Sequence, residues 1–347
     1  MAIKDFTANV ISATKVVPDG KFTNSAASGV WDLSEQFDLV KGDNWPNAAN
    51  LVPRVLIAGG FTSSNQRSAV IQKLDPRSTG NSSSFGNLDA AKVIHAAVAS
   101  TTRGVFMGGV PASGDQNVIQ YVTIATDGNA SDFGDLTGNF YDGGAAGSNT
   151  RGISGGGNHS GGYKTLEYIT IANTGDATDF GDLSTNRQET RSAASTTRFV
   201  CSMGSGGSYE GDNTIDYVTI ASTGNATDFG NLTVARRSGC CLSNNTRGIT
   251  AGGDGASSRQ NVIDYITIAS TGNSTDFGDM SSGRWYPAGT SHGNTGFISG
   301  GATSSANTNA IEQITITTTG NATDFGDMTA SIRSHTACSN GHGGIAA

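Results

Sequence analysis

The side chains best suited to chemistry recur in this chain at a fixed spacing, which limits what they can do. Acids bracket a Phe-Gly step at Asp132 and Asp135, Asp179 and Asp182, Asp276 and Asp279, and Asp324 and Asp327. Such oxygen pairs could ligate Ca²⁺. Asn replaces the second acid at Asn87 and Asn231, however, and backbone hydrogen bonding explains Asp or Asn at a turn without a metal. The five histidines are His95, His159, His292, His335 and His342. A metal or catalytic cluster would need several of them on adjacent repeats at one height, and the spacing shows no such set. There is no GxSxG elbow to expose a nucleophilic serine. The Gly-Gly pairs lack the following helix of a phosphate loop. The Asn-x-Ser/Thr sequences at Asn81, Asn129, Asn225, Asn273 and Asn321 sit in a repeated turn that accounts for them. No catalytic residue, metal or cofactor is therefore expected.

The elements that carry these residues form a long repeat. Phe85-Gly-Asn-Leu, Phe133-Gly-Asp-Leu, Phe180-Gly-Asp-Leu, Phe229-Gly-Asn-Leu, Phe277-Gly-Asp-Met and Phe325-Gly-Asp-Met are spaced by 47 to 49 residues. A period near 48 suits a propeller blade of four strands. Two more phrases keep it: an extended run ending in small residues, as in Arg247-GITAGG, and a β-branched run, as in Ile263-DYITI. Alternation with period two and frequent Gly argue for strands over helices. Composition agrees, with 49 Gly in 347 residues and only 14% charged. That excludes coiled coils and helical bundles, and the paired glycines exclude collagen.

Each repeat reads as four strands. The first is weakly marked, as at Arg191-SAAS, Arg237-SGCC and Arg333-SHTAC; the last is the Asp-Phe-Gly element after a Thr-Gly-Asn turn. Strands 2 to 4 occur six times from residue 54, whereas the sixth strand 1 lies at about 333–339. The prediction is an all-β, six-bladed β-propeller over residues 51–347, closed by pairing of that C-terminal strand with the first blade. Gly343 to Ala347 could add part of a further strand. Cys201, Cys240, Cys241 and Cys338 have no CxxC spacing and read as small buried residues.

Antiparallel neighbours place loops 2–3 and 4–1 on one face and loops 1–2 and 3–4 on the other. The 3–4 turns are nearly uniform, as in Ser222-TGNATDFGD and Thr318-TGNATDFGD, while the 2–3 and 4–1 loops share little. Individual loops bearing aromatic and Arg side chains suit recognition. The candidates for a partner-binding surface on this face are Phe140, Tyr141, Tyr163, Tyr209, Arg236, Arg284, Trp285 and Tyr286. Drift among loops that need only be polar is the competing explanation. Replacing Trp285 and Tyr286 is expected to weaken partner binding with little change in thermal stability.

Residues 1–50 lack the repeat. Asp32 to Lys41 reads as a short helix with Leu33, Phe37 and Val40 on one side. A helix that short needs a docking surface: the chain's own propeller, or a neighbouring subunit gripped by Trp31, Leu33, Phe37 and Trp45. No secretory h-region or membrane-spanning run is visible. A net charge of −8 argues against a nucleic-acid partner.

The order of Arg-Ser-His, Gly-Gly, Ile-Asp-Tyr-Ile-Thr-Ile and Asp-Phe resembles the kelch repeat, with Phe where kelch repeats often carry Trp. Residues 263–280, IDYITIASTGNSTDFGDM, are more similar to tandem units in virion proteins of tailed phages, marine cyanophages especially. Gly29-Val-Trp-Asp-Leu-Ser-Glu-Gln with Trp45-Pro46 is similar to a segment that precedes such units. The resemblance covers about residues 51–347. It implies a non-enzymatic structural protein on the exposed virion surface, present in multiple copies and held to other virion proteins through residues 1–50. It would display the propeller on the tail for recognition of a host cell-surface protein or glycan. Capsid decoration is the alternative. A lectin-like or glycan-processing propeller and a cellular kelch-type adaptor are the further readings.

Overall fold

The computed structural model describes residues 52–160, 162–206 and 211–345. The predicted helix, Trp31, Leu33, Phe37, Trp45 and Tyr209 lie outside them. The described residues form six four-stranded antiparallel sheets, one per repeat. Blade I combines Val55–Ala58, Val70–Leu74 and Ser83–Asn87 with the C-terminal strand Thr336–Ser339. Val55 pairs with Ser339 and Ala58 with Thr336, so the two ends of the ring share one sheet. Blades II to VI follow in chain order, with inner strands Ala96–Ala99, Gly144–Gly147, Arg191–Ala194, Cys240–Ser243 and Ala288–His292. Each inner strand packs against the inner strands on both sides and lines the axis.

The second strand is buried along its length, as in Val55–Ala58 and Arg247–Ala251. A blade wedged between two others buries both sheet faces, which is why this strand reads as a continuous apolar run. The core is divided accordingly into six clusters, one per blade interface. Phe85, Phe133, Phe180, Phe229, Phe277 and Phe325 each contribute a buried ring. In blades II to V the ring meets a Tyr of the third strand edge-on, at 5.8–6.1 Å between centroids. That Tyr is also covered by an Arg guanidinium from strand 2 at 4.4–4.6 Å. The same Arg reaches a carbonyl of the following blade, as Arg103 does to Ile171 at 3.0 Å.

The uniform 3–4 turn is the latch between blades. The Gly128 N–H donates to Phe85 O of the preceding blade, and the contact recurs from Gly175, Gly224, Gly272, Gly320 and Gly80 around the closed ring. The Asn after that Gly accepts a second bond: Asn129 Oδ1 from the Asn87 N–H, Asn321 Oδ1 from the Asp279 N–H. Asp176 takes this place in blade III. The Gly of each Phe-Gly step keeps the latch closed. At Gly278, with φ +146°, a Cβ would lie 2.5 Å from the carbonyl oxygen of Gly320.

Two details differ from the sequence reading. Arg191-Ser192 opens an inner strand, whereas Arg237-Ser238 and Arg333-Ser334 precede theirs, because strand 1 begins after a left-handed residue that the Arg-Ser phrase does not mark. Among the described residues beyond Ser339 there is no further strand in blade I, and Ala346 and Ala347 lie outside them. Gly341 bridges to His292, His342 Nε2 lies 2.8 Å from Ala99 O, and Gly343 abuts Asn244. The C-terminal residues thus lie across one end of the axis.

Candidate functional site at the variable face

Just before each inner strand the backbone passes through one non-glycine residue in the left-handed region: Ile94, Asp142, Glu189, Ser238, Tyr286 and Ser334, with φ between 49° and 59°. Such a conformation is costly for these residues, most of all for a β-branched Ile. Their hydrogen bonds explain why they hold it. Ile94 N–H donates to Ser334 O, Asp142 to Ile94, Glu189 to Asp142, Ser238 to Glu189, Tyr286 to Ser238 and Ser334 to Tyr286, at 2.6–3.2 Å. The six bonds form a closed circuit around the axis on the face of the 2–3 and 4–1 loops.

The side chains on this circuit are unlike. Tyr286 spans the axis and donates its hydroxyl to Asp142 Oδ2, at 2.8 Å, three blades away. Arg191 lies 3.5 Å from the other Asp142 oxygen. Burial dominates all the same and lifts the Asp142 carboxyl to about 6, with nearby Glu189 adding to the rise. Glu189 accepts from Ser238 Oγ and from Arg237 Nη1. Every acid at the axis is therefore held by several donors. A channel cavity of about 60 Å³ lies beneath, bounded by Asp142, Arg191, Ser192, Cys240 and Cys241 among others.

One residue further out, the six equivalent positions make a rim of Val93, Tyr141, Gln188, Arg237, Trp285 and Arg333. Each pairs through its backbone with the 2–3 loop of its own blade: Val93 with Val110, Tyr141 with Asn158, Gln188 with Ser205, Arg237 with Asp254, Trp285 with Ala302 and Arg333 with Phe61. Trp285 carries the Arg259 guanidinium at 5.1 Å and that of Arg333 at 5.9 Å. Arg333 also sits 5.0 Å from the Phe61 ring, over which Arg67 lies at 5.5 Å. Three arginines and two aromatics thus alternate across blades V, VI and I.

The residues expected to bind a partner do not all meet here. Trp285 is on the rim and half-buried, Tyr141 is half-buried at the same rim position three blades away, and Tyr163 is 46% exposed on blade III. Tyr286 lies inward, and its hydroxyl is spent on Asp142, so losing it must affect stability as well as any binding. Phe140, Arg236 and Arg284 are at most 1% exposed and form no part of a surface. They share one repeat position with Lys92, Arg187 and Ile332. The three arginines there pair with Asp216, Asp264 and Glu312 of the third strand. Gln72 and Gln120 occupy the acid's place opposite Ile332 and Lys92, and Glu167, opposite Phe140, lies 3.3 Å from His159 instead. Where the facing position is neutral the charge is met elsewhere, Lys92 by Asp89 at 3.1 Å and Glu167 by His159, because an unpaired buried ion is expensive.

Histidine spacing was also misread. His95 and His335 hold the same repeat position in blades II and I, which are adjacent because the ring closes. His335 Nε2 lies 3.0 Å from Ser299 Oγ. Burial pushes His335 down to about 3 and His95 well below its usual value. Among the described residues no group of three His, Cys, Asp or Glu is placed to hold a metal. The cysteines are buried, and burial pushes the Cys240 and Cys338 thiols up to about 12. Asp142 and Glu189 escaped the sequence reading. Their signal was their place in register before the inner strand, where spacing is common to all six residues and only Ser238 and Ser334 agree in type.

In comparison with known proteins, no family model and no curated sequence matches the chain.

Proposed function

We propose that this protein is a non-enzymatic recognition module displayed on the particle of a tailed phage, with the 2–3/4–1 face as its binding surface. The carrying observation is the rim. Six positions with one backbone geometry hold five different side chains, Arg alone occurring twice, on a frame whose inter-blade devices otherwise repeat. A scaffold that fixes the backbone and frees the side chains suits specific binding. The mutual engagement of Asp142, Glu189, Tyr286, Arg191 and Arg237 favours a structural role for the axial acids over catalysis. The virion setting rests on the likeness of residues 263–280 to phage virion repeats, with kelch-like ancestry as the coarser likeness, and on residues 1–50 as the anchor to other virion proteins. Tail attachment is the reading we place first and capsid decoration second.

Immunogold labelling of purified particles tests this. Label on the tail is the expected result and label on the capsid supports decoration. A chain absent from intact particles overturns the proposal.

A further inference from the structure

The row Arg259, Trp285, Arg333, Phe61 and Arg67 supports a more specific statement about the ligand. None of its three arginines has a carboxylate within ion-pair distance among the described residues, whereas neighbouring Arg237 is paired with Glu189 and Asp254. Arg67 instead donates to Val110 O and Arg333 to Asn65 Oδ1. Arg259 Nη1 and Trp285 Nε1 are buried atoms without a hydrogen-bond partner. The protein as a whole carries a net charge of −8, so three uncompensated guanidiniums in a line are a local reversal of its field. Among the described residues the opposite arc of the same face carries exposed Asp115 and no comparable row.

The arrangement limits the ligand. Each aromatic face is already covered by arginine, so apolar stacking is not what the row offers. A guanidinium seated over a ring keeps its N–H donors in its own plane, where those not already engaged can bind an oxyanion. Successive guanidiniums are separated by one ring, which fits an anion repeated along an extended chain better than a compact multivalent one. Beside the row, an open groove of about 770 Å³ between blades V and VI is lined by Arg259, by the ion-paired Arg237 and Asp254, and by hydroxyls such as those of Ser257, Ser258 and Thr303. Small hydroxyls match the hydroxyls of a sugar, whereas a peptide groove would be expected to hold a buried apolar anchor site.

We propose that the face formed by blades V, VI and I binds an anionic polysaccharide, its carboxylates or sulfates on the arginine row and its neutral sugars along the hydroxyl groove. This rests on the recognition reading above and names its ligand class. Binding of the full chain to four immobilised probes tests it: polygalacturonate, dextran sulfate, neutral dextran and polyglutamate, each at low and high salt. The expected result is binding to polygalacturonate, dextran sulfate or both, weakening with salt, with neutral dextran inert and polyglutamate weaker. Which of the two binds identifies the anion. Arg333→Gln and Arg259→Gln should each lower affinity by about tenfold or more, and Lys164→Gln on the opposite arc should not. Arg67→Gln, at the end of the row, serves if Arg333→Gln lowers the unfolding midpoint. Absence of binding to both polysaccharides, polyglutamate binding as tightly as either, or affinity unchanged in Arg333→Gln/Arg259→Gln overturns the proposal. Particle labelling is independent of all these outcomes.

Discussion

The two faces of the propeller each close the ring with a backbone circuit, but they treat side chains oppositely. At the 3–4 turns the circuit runs from Gly N–H to Phe O, and the side chains repeat with it: an Asn, or once an Asp, caps the preceding blade in every interface. At the other face the circuit runs through six left-handed residues of five types, Ser alone occurring twice, that have their φ in common. The difference shows where selection for the ring acts. Where a side chain supplies part of the latch it is fixed; where the backbone supplies all of it, the side chain is released for other work. Asp142, Glu189 and Tyr286 use that freedom to bar the axis, and Trp285 and Arg333 use it to build the rim.

The comparison can be broken most forcefully at a side chain that belongs to neither face. Arg236→Met strands buried Asp264 without its cation and should cost about 3–5 kcal/mol, read as a fall in the urea midpoint. A loss under about 1 kcal/mol would mean that the buried pairs are dispensable and the circuits alone hold the ring.

The axial circuit is probed next by pH. Asp142 has a raised value, so its contribution to stability is most favourable below the unfolded carboxyl pKa and is lost as pH rises through about 6. Its full weight is about 3 kcal/mol. Buried His335 and His95 act in the opposite sense. Their contribution is intact above the unfolded histidine value and is lost as pH falls through it toward the depressed folded values, about 3 for His335. Asp142→Asn should therefore raise stability at pH 7 and steepen the loss on acidification, whereas His335→Gln should make that loss shallower. Urea titrations at pH 7, 5 and 4 check both signs.

The smallest effect belongs to the repeated latch. Asn273→Ala removes one of several bonds at its interface and should cost about 1 kcal/mol. Asn273→Asp should cost clearly less, since Asp176 already serves in that place. Equal losses in calorimetry would show that the cap acts through turn propensity rather than through its accepted bond.

Much of this was legible in residue order. The Phe-Gly period set the blade count, and the position of the last strand set the closure. The uniformity of one face was visible too, though its cause was not: Asn225 and Asn273 read as turn formers, and only their neighbours in space reveal them as caps on Asp182 and Asn231. The site was harder. Arg236 and Arg284 stood out in a variable loop beside Arg237 and Trp285, and a list of loop residues does not say which point inward. A charged residue at one repeat position, matched by an acid about 28 residues on, was the available sign that these arginines were buried. Asp142 offered less, because its partner Tyr286 lies 144 residues away.

Sequence by itself determined the architecture, since strand periodicity, turn glycines and a repeat near 48 residues are local properties that each blade states again. Only the tertiary structure decided the site. Closing the ring brings the first and last repeats together and puts Arg333 beside Phe61, and it sets Tyr286 across from Asp142. Contacts between unlike residues in distant repeats leave no periodic trace, so they become visible only when the circle is drawn.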